Sequence, residues 1–401
     1  MRICFVASRF PFPITKGDTL RAYHQIRELS RKHTVHLIAA AETEPSADAL
    51  AEMRQFCGQI DVVKIGRTRS YATVAALGLG SRLPLQVLYF LSPQLRAAVE
   101  GALAREHYDV LQAMTIRVAP AVFGAGNVPV VVDFMDSYAA NIATRRELVG
   151  PVARRLYDLE FARVARYERD VARRAAGSIV IAELDREAIG GPRLSVIPNG
   201  VDTTALNFHA GERDPATLIF TGNMGYQPNV DAVTWFAAEC WPALRAAHPE
   251  LHFMIVGARP APAVTALGRI AGIEVTGSVE SMTPFLHRAT VAVCPIRCGS
   301  GMQNKVLEAM AAGVPIVSTA FANRSIGTVA GREVQVGSSP AELVAAVSRL
   351  LADPELRRRQ ADAARVYVES ELSWSKHAAA LEHAYARAID ASGAVALSSA
   401  G

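Results

Sequence analysis

The sequence predicts an α/β protein made of two doubly wound domains, each built on a parallel sheet with helices on both faces. Its 401 residues are too many for one ordinary domain. Continuous apolar runs of strand length alternate with stretches of helical periodicity, as in parallel sheets that are buried on both faces. This alternation starts again near residue 197. We therefore expect one domain over residues 1–196 and a second over residues 197–374.

The first domain opens with the apolar run 3–7, which predicts a buried strand. A proline-rich loop follows, and then a helix over residues 19–32 with apolar positions at helical spacing. Further strands are predicted over residues 34–39, 109–112, 128–133 and 178–182.

The second half repeats this pattern. Residues 194–198 lead into a turn signal at residues 199–202, and strands are predicted over residues 217–221, 252–256, 274–276, 291–295 and 315–318. Helices are predicted over residues 229–247, 303–312, 341–351, 354–370 and 373–389. Asn229 is a favourable N-cap for the first of these helices. The last helix, about residues 375–390, is expected to pack back on the first domain.

Composition excludes several classes of protein. Half of the residues are hydrophobic and a fifth are charged, as in globular proteins with sizeable cores. The formal net charge of +4 is mild and no basic arm is present, so no nucleic-acid partner is predicted. The five cysteines form no CxxC pair, which argues against a zinc site or a disulfide framework. We recognise no signal peptide and no membrane-spanning run, and we expect a cytoplasmic protein.

Two segments raise the question of a membrane surface. Residues 141–177 contain nine arginines and five acids. The ordinary interpretation is a solvated helix with i,i+4 ion pairs, and the alternative is a surface that rests on anionic lipid or meets an acidic acceptor. Residues 70–81 and 83–95 carry no charge, and only Arg82 separates them. We predict core helices there, with an apolar groove for a lipid-linked acceptor as the alternative.

The most informative segment follows the predicted strand 291–295. A loop of small residues leads into a helix, and its candidate donor-binding residues are Gly299, Ser300, Gly301, Met302, Gln303 and Asn304. Glycines allow a ligand to approach the backbone, and free N–H groups at a helix start attract negative charge. Lys305 can add a point charge to a phosphate, and Glu308, one turn further on, can accept hydrogen bonds from ribose hydroxyls. The alternative is an ordinary tight turn with a surface Lys–Glu pair.

A second loop of this kind follows the predicted strand 217–221. Gly222 and Asn223 begin a glycine-containing turn before a helix, which leaves room for a diphosphate. Loops of this composition are common, so the alternative is an ordinary strand-to-helix connection.

Candidate acceptor-binding residues occur in the first domain. Lys16 and Gly17 lie between the first strand and its helix, and Arg21 lies inside the first turn. Asp133 and Asp136 follow a strand at its carboxyl end, where α/β sheets bind ligands. Either could bind sugar or acceptor hydroxyls, Asp136 is also a candidate base, and a capping role is the alternative.

Together these residues resemble the family-4 retaining glycosyltransferases of the GT-B fold, in which two Rossmann-like domains face a central cleft. Within that family the chain is similar to sugar transferases associated with PEP-CTERM/exosortase exopolysaccharide clusters. The resemblance runs from residues 13–21 to residues 373–374. Its most specific marks are residues 221–231, residues 301–313 and the run Ile197-Pro198-Asn199-Gly200-Val201-Asp202.

The resemblance implies a nucleotide-sugar donor held by the second domain and a glycan, lipid-linked or small-molecule acceptor held by the first. It also implies retention of anomeric configuration, with no metal and no cofactor. In that scheme Glu308 binds the ribose, while Lys305 and the 299–301 loop stabilise the departing diphosphate. The departing phosphate takes the acceptor's proton. Peripheral contact with the inner face of an anionic membrane is an additional expectation.

Three positions depart from the family's usual pattern. Ser300 stands where a glutamate is usual, Asn223 where an arginine is usual, and Met135 where a histidine is often found. The run Gln303-Asn304-Lys305 suggests that Lys305 supplies the missing positive charge. Other activities remain open: a nucleotide-sugar epimerase on the same fold, and a non-catalytic nucleotide-binding partner in a polysaccharide assembly complex. A Rossmann dehydrogenase is excluded because no GxGxxG follows the first strand.

Overall fold

A computed structural model describes residues 1–299 and 301–399 of the chain. The chain divides into two compact units. The first comprises Met1–Pro198 together with the chain from Trp374 onward, and the second comprises Asn199–Ser373. The division falls two residues after the predicted domain boundary.

The sheet of the first unit is parallel throughout its described strands. In chain order these are β1 (Arg2–Ala7), β2 (Thr34–Ala41), β3 (Gln59–Lys64), β4 (Val110–Met114), β5 (Val130–Met135), β6 (Gly177–Val180) and β7 (Leu194–Val196). They are arranged in the order β3-β2-β1-β4-β5-β6-β7. The order reverses between β1 and β4, and in doubly wound sheets ligands bind near the carboxyl ends of strands at such a point.

Helices connect these strands, as a parallel sheet requires. They are α1 (Gly17–Leu29), α2 (Ala47–Arg54), α3 (Arg67–Leu77), α4 (Leu85–Tyr89), α5 (Pro93–Arg105), α6 (Ala119–Val122), α7 (Tyr138–Arg145), α8 (Pro151–Arg174) and α9 (Glu183–Ile189), with short 3-10 turns at Ile116–Val118 and Arg146–Leu148. The terminal helix, which is α18 in chain order (Trp374–Ser399), packs on α1 and on the middle of this sheet.

Alternation along β1 shows how the sheet is covered. Ile3, Phe5 and Ala7 belong to one apolar cluster, whereas Cys4 and Val6 belong to another. Successive side chains of a strand point to opposite faces, so both faces of the sheet are buried under helices.

The second unit repeats the architecture on a smaller scale. Its described strands are β8 (Thr217–Thr221), β9 (His252–Val256), β10 (Ile273–Gly277), β11 (Val291–Cys294), β12 (Ile316–Thr319) and β13 (Gln335–Gly337), all parallel and in the order β10-β9-β8-β11-β12-β13. Its helices are α10 (Gln227–Glu239), α11 (Trp241–Ala247), α12 (Pro262–Leu267), α13 (Thr283–Arg288), α14 (Asn304–Ala311), α15 (Ala320–Asn323), α16 (Pro340–Ala352) and α17 (Pro354–Glu371). The order reverses here between β8 and β11.

Three predictions from the sequence need correction. The uncharged stretch 70–81 is not a core helix, because α3 is mostly exposed and Leu79 is 91% exposed, whereas the stretch 83–95 does contribute Val87, Phe90 and Leu95 to the core. The predicted helix 229–247 is broken at Cys240, where Pro242 opens a new helix and cannot donate a backbone hydrogen bond to the preceding turn. The edge strands β3 and β13 were not predicted. The first mixes polar and apolar residues, and the second has three residues.

Within the described residues, no helix combines the length and apolar character needed to cross a membrane.

Candidate functional site

The loop after β8 is joined backbone to backbone with the loop after β9. Gly222 has a φ of 147°, and a methyl group on Gly257 would lie only 1.7 Å from the Gly222 carbonyl oxygen. Only glycine permits this approach at residue 257. The Met224 amide donates to the Ala258 carbonyl at 2.8 Å, which ties the two loops together a second time. The carboxyl ends of β8 and β9 therefore share one fixed surface.

Two asparagines shape the Gly222 loop. Asn223 Oδ1 accepts from the Gly225 amide at 3.0 Å, and Asn229 Nδ2 donates to the Asn223 carbonyl at 2.9 Å. The predicted N-cap role of Asn229 is wrong, because α10 begins at Gln227 with Tyr226 as its N-cap residue. Instead, Asn229 fixes the loop from inside the first turn of the helix. Asn223 thus presents backbone and a short amide at this edge of the sheet.

The loop after β11 packs against the start of α10. Gly299 and Gly301 both have left-handed backbone, with φ of 108° and 75°. A methyl on Gly299 would lie 3.3 Å from Pro228 Cγ, so this loop touches the segment that begins α10. Ser300, a predicted donor-binding residue, lies outside the described residues. The Gly222 and Gly299 loops therefore face one region at the carboxyl edge of the sheet.

Helix α14 begins in this region with an open N-terminus. Its N-cap residue, Gln303, makes no side-chain capping hydrogen bond. Met302 is buried beneath the turn, and Asn304 Oδ1 accepts from Asn199 Nδ2 at 3.0 Å. Among the described residues, no side chain caps the first-turn amide groups of α14, and the helix dipole favours an anion there.

Lys305 contacts both the Gly222 loop and Gln303, the residue that precedes α14. A methyl on Gly222 would lie 3.4 Å from Lys305 Cε, and Lys305 Nζ lies 5.3 Å from the centroid of the Phe220 ring. The ammonium donates to Gln303 Oε1 at 3.0 Å. Burial lowers the pKa of Lys305, and the neighbouring Cys294 and Glu308 oppose that shift. A bound anion would favour the charged form of this lysine.

Glu308 lies one turn further along α14 and is half-buried. Burial raises its pKa, and the positive charge of Lys305 opposes the increase. Among the described residues, none donates a hydrogen bond to its carboxylate. A half-buried carboxylate in this state can accept hydrogen bonds from ligand hydroxyls.

Two arginines of the second unit have different environments. Arg297 forms a bidentate ion pair with Asp231, at 2.7 and 3.2 Å, and lies over the Trp235 ring at 4.5 Å. Arg297 therefore has both of these contacts with α10. Arg259, by contrast, is exposed and has a φ of 55° at the end of β9, next to the Gly222 loop. Sequence reasoning missed Arg259, because its signal is backbone strain, which a sequence does not display.

In the first unit, the predicted acceptor residues Arg21 and Asp133 are fully buried. Arg21 Nε donates to Asp133 Oδ2 at 2.7 Å, and its other nitrogens donate to the carbonyls of Ile197 and Pro198 at 3.0 and 3.1 Å. Asp133 also accepts from Gln25 Nε2 at 2.8 Å. This placement argues against acceptor binding by either side chain. The pair joins α1, β5 and the chain that leaves β7.

Lys16, Gly17 and Asp136 come together at the carboxyl end of this sheet. Lys16 and Gly17 are exposed at the start of α1, where the Lys16 carbonyl accepts from Thr19 Oγ1 at 2.9 Å. A methyl on Gly17 would lie 3.5 Å from Met135 Cε, beside the half-buried Asp136. These three predicted residues therefore share one edge of the unit.

The same edge contains strained backbone. Thr115 directly follows β4 and Met135 ends the neighbouring strand β5, and both have left-handed φ values, 70° and 64°. Non-glycine residues in this region carry a conformational cost, and such residues cluster at functional sites.

A cationic pair that the sequence did not indicate surrounds Asp18. Arg117 Nη1 lies 3.0 Å from Asp18 Oδ2, and Arg9 pairs with the same oxygen. Burial alone would raise the pKa of Asp18, but Arg9 and Arg117 lower it. The Arg117 guanidinium also lies 5.1 Å from the centroid of the Tyr138 ring. Asp136 lies close enough to Arg117 for its charge to contribute to the raised pKa of that arginine.

Two buried carboxyl groups support the segment after Asp136. Ser137 donates from its hydroxyl to Glu168 at 3.0 Å and from its amide to Asp185 at 2.9 Å. Burial raises the pKa of Glu168 to about 8 and that of Asp185 to about 7, and the charge of Asp136 contributes to both shifts. Sequence reasoning missed this arrangement because it depends on contacts between distant helices.

Comparisons with known proteins agree with this architecture. Residues 215–353 match the family model described as "Glycosyl transferases group 1". No curated protein matches the chain significantly.

Three solved structures are similar over nearly the whole chain. Anabaena HepE in complex with UDP and glucose has a TM-score of 0.67 and 15% identity, covering 96% of this chain and 98% of that one. Sucrose-phosphate synthase of Thermosynechococcus elongatus has a TM-score of 0.71 and 15% identity, covering 98% and 100%. A variant of S. aureus TarM in complex with fondaparinux, α-GlcNAc-glycerol and UDP has a TM-score of 0.70 and 10% identity, covering 96% and 100%.

These similarities confirm the GT-B fold predicted from the sequence. The group 1 match covers most of the second unit, including both glycine loops and α14. Together, the matched domain and the fold establish the chain as a glycosyltransferase.

Proposed function

We propose that the chain transfers a sugar from a nucleoside-diphosphate sugar to a glycan, lipid-linked or small-molecule acceptor, with retention and without a metal. One observation carries the proposal. Lys305 and Glu308 lie on one turn of a helix whose open N-terminus meets two glycine loops at the carboxyl edge of a sheet. A cation and backbone amides at a helix start are suited to bind a diphosphate, and a carboxylate is suited to accept hydrogen bonds from ribose hydroxyls.

In this proposal the second unit holds the donor. The diphosphate lies against the first turn of α14 and the backbone of residues 222–223. Lys305 then pairs with the diphosphate in place of its hydrogen bond to Gln303. Ribose hydroxyls donate to Glu308. Exposed Arg259 supplies a second positive charge from the end of β9, which compensates for Asn223. The similar HepE and TarM structures contain UDP, which supports a nucleoside diphosphate as the ligand class.

The chemistry follows from where charge develops. The bond between the sugar's anomeric carbon and the diphosphate oxygen breaks, and the leaving diphosphate gains negative charge that Lys305 and the α14 amides stabilise. The acceptor oxygen bonds to the same face of that carbon, and its proton passes to the departing phosphate oxygen. Configuration is therefore retained. Positive groups of the chain perform the charge stabilisation for which other enzymes use a metal.

The first unit holds the acceptor at the edge formed by Lys16, Gly17 and Asp136. Asp136 accepts a hydrogen bond from an acceptor hydroxyl, and the neighbouring Arg117 limits the cost of its buried charge. An exopolysaccharide precursor in the cytoplasm is the acceptor we favour. The five free, buried cysteines agree with a reducing compartment.

A transfer assay tests the proposal. Purified protein is incubated with radiolabelled UDP-, GDP- and dTDP-sugars, with and without lipid-linked oligosaccharide acceptors, and products are separated and analysed by NMR. We expect labelled product with the donor's anomeric configuration only when acceptor is present, and none from Lys305→Ala. Donor conversion without acceptor would support the epimerase instead. Nucleotide binding without turnover across the acceptor panel would support the non-catalytic partner.

A further inference from the structure

The segment that contains Asp136 is held on both sides. Before it, Met135 has left-handed backbone, its amide donates to Asp133 Oδ1 at 2.9 Å, and its carbonyl accepts from the Ile181 amide at 2.7 Å. After it, Ser137 is fully buried and is the N-cap residue of α7. Asp136 itself is half-buried. The direction of its carboxylate therefore depends on how the residues before and after it are held.

Two buried acids hold the residues that follow Asp136. Glu168 of α8 accepts from the Ser137 hydroxyl at 3.0 Å with one carboxylate oxygen and from the Tyr138 amide at 2.6 Å with the other. Asp185 of α9 accepts from the Ser137 amide at 2.9 Å. The two acids are only 1% and 3% exposed. Side chains from two separate helices therefore fix one two-residue segment.

Helix capping does not explain this arrangement. Ser137 already caps α7, because its hydroxyl oxygen accepts from the Ala140 amide at 3.1 Å. Burial is unfavourable for an ionisable group, and it raises the pKa of Glu168 to about 8 and that of Asp185 to about 7. Among the described residues, none forms a hydrogen bond with the buried Asp185 Oδ2. Buried acids of this kind reduce stability and are typical of functional sites.

The same segment also contacts a cation. The Tyr138 ring lies 5.1 Å from the Arg117 guanidinium, which pairs with Asp18 at 3.0 Å. The charge of Asp136 contributes to the raised pKa of Arg117, so these two groups are neighbours. Tyr138 therefore connects the backbone that Glu168 holds with the cation beside Asp136.

We propose that Glu168 and Asp185 are positioning residues for sugar transfer. By holding the backbone of residues 137–138, they direct the Asp136 carboxylate toward the acceptor hydroxyl. Both side chains are buried, so they act through Asp136 and do not touch the acceptor. The inference rests on the acceptor role of Asp136 proposed above.

Transfer kinetics of the full chain test the inference. The substrates are a radiolabelled nucleotide-sugar and a lipid-linked oligosaccharide that together give product in the transfer assay. Glu168→Ala, Asp185→Ala and the conservative Glu168→Gln are each measured alone and in combination with Asp136→Asn. The matched control, Glu28→Ala, removes a buried carboxylate of the same unit that pairs with Arg31 at the end of α1.

We expect each alanine variant to lower kcat/KM for the acceptor by roughly 100-fold, because a carboxylate displaced by about 1 Å loses its alignment with the acceptor hydroxyl. Affinity for the nucleoside diphosphate should not change. Glu168→Gln keeps an oxygen for the Tyr138 amide and should lose only about ten-fold. In the Asp136→Asn background, none of the three variants should lower kcat/KM further. Glu28→Ala should lower the unfolding midpoint and leave kcat/KM unchanged.

The double variants distinguish two kinds of failure. If Asp136→Asn transfers sugar like the wild type, the proposed acceptor role fails and the inference fails with it. If Asp136→Asn is impaired but the losses at residues 168 and 185 add to it in full, the two acids are only structural and the inference alone is overturned. A weakened nucleotide affinity, or losses that disappear when the unfolding midpoint is restored by a stabilising osmolyte, would overturn it as well. If an alanine variant does not fold, Glu168→Gln supplies the same double-mutant comparison.

Discussion

Lys305 Nζ lies 3.0 Å from Gln303 Oε1, so the ammonium of α14 has a neutral amide oxygen as its hydrogen-bond partner. A buried lysine is better stabilised by a charged partner, and burial here lowers its pKa. A diphosphate at the helix start would provide that partner. Lys305 is therefore held at the helix start by a neutral partner that a phosphate can replace.

Replacing Lys305 by alanine should reduce the turnover of sugar transfer by roughly 100- to 1,000-fold, because the leaving diphosphate loses a preorganised positive charge. The rate is measured at saturating donor, which separates turnover from affinity. Lys64→Ala, at the exposed end of β3, is the matched control and should be neutral. Wild-type turnover in Lys305→Ala would remove this lysine from the reaction.

Glu308→Gln should weaken binding of the nucleoside diphosphate by about ten-fold, because a charged hydrogen-bond acceptor becomes a neutral one. Calorimetry with the nucleotide and with an analogue that lacks both ribose hydroxyls completes a double-mutant cycle. The variant should affect only the intact nucleotide. Equal losses for both ligands would show that Glu308 does not bind the ribose.

Replacement of Arg259 should change both the free energy of unfolding and the affinity for the donor. Glycine tolerates the left-handed backbone that arginine adopts here with φ of 55°, so Arg259→Gly should raise the free energy of unfolding by about 1 kcal/mol. The same variant should lose donor affinity, and Arg259→Ala should lose affinity without becoming more stable. Urea unfolding and nucleotide titration measure the two effects. Unchanged affinity in both variants would show that the strain serves no donor contact.

Arg21 should prove to be a structural residue. Arg21→Met leaves Asp133 buried and charged without its cation, which should lower the free energy of unfolding by about 3–5 kcal/mol. Arg96→Met breaks an exposed i,i+4 pair with Glu100 and should lower it by less than about 1 kcal/mol. Urea denaturation compares them. Normal stability with weakened acceptor binding in Arg21→Met would restore the acceptor role predicted from the sequence.

The buried acids make stability depend on pH. The pKa of Glu168 is raised from 4.5 to about 8 in the folded chain, and that of Asp185 from 3.8 to about 7. At a pH between the ordinary and the raised pKa of each group, the folded chain binds more protons than the unfolded chain. The free energy of unfolding therefore falls as the pH rises through this range. Glu168→Gln should flatten this dependence between about pH 5 and 8. Glu250→Gln, an exposed control, should leave the slope unchanged, and equal slopes in both variants would contradict the assignment.

The sequence predicted the two sheets because their inner strands contain continuous apolar runs, such as residues 3–7 and 253–256. The edge strand β3 escaped prediction because it is partly exposed and its composition is mixed, and the edge strand β13 because it has only three residues. Helix α3, which is mostly exposed, was predicted to lie in the core for a different reason. An uncharged segment is usually buried, and only coordinates show where nothing covers it.

The candidate donor site could be predicted from the sequence because its residues are contiguous along a loop and one helix turn. The candidate acceptor site was more difficult to predict. Arg21 and Asp133 had suitable chemistry and position, but burial removed them from solvent. Arg117, Glu168 and Asp185 come from separate helices and turns, and only the fold brings each of them to residues 137–138. Strain at Arg259, Thr115 and Met135 likewise depends on backbone angles.

The central claim is that a nucleoside diphosphate binds at the start of α14. Its most direct test is the thermal unfolding midpoint of the wild type and of Lys305→Ala, measured with UDP, GDP, dTDP and their sugars, because a ligand that binds the folded state raises the midpoint. We predict that at least one of these ligands stabilises the wild type and that Lys305→Ala loses most of this increase. An unchanged midpoint with every ligand, or an equal increase in the variant, would contradict the account.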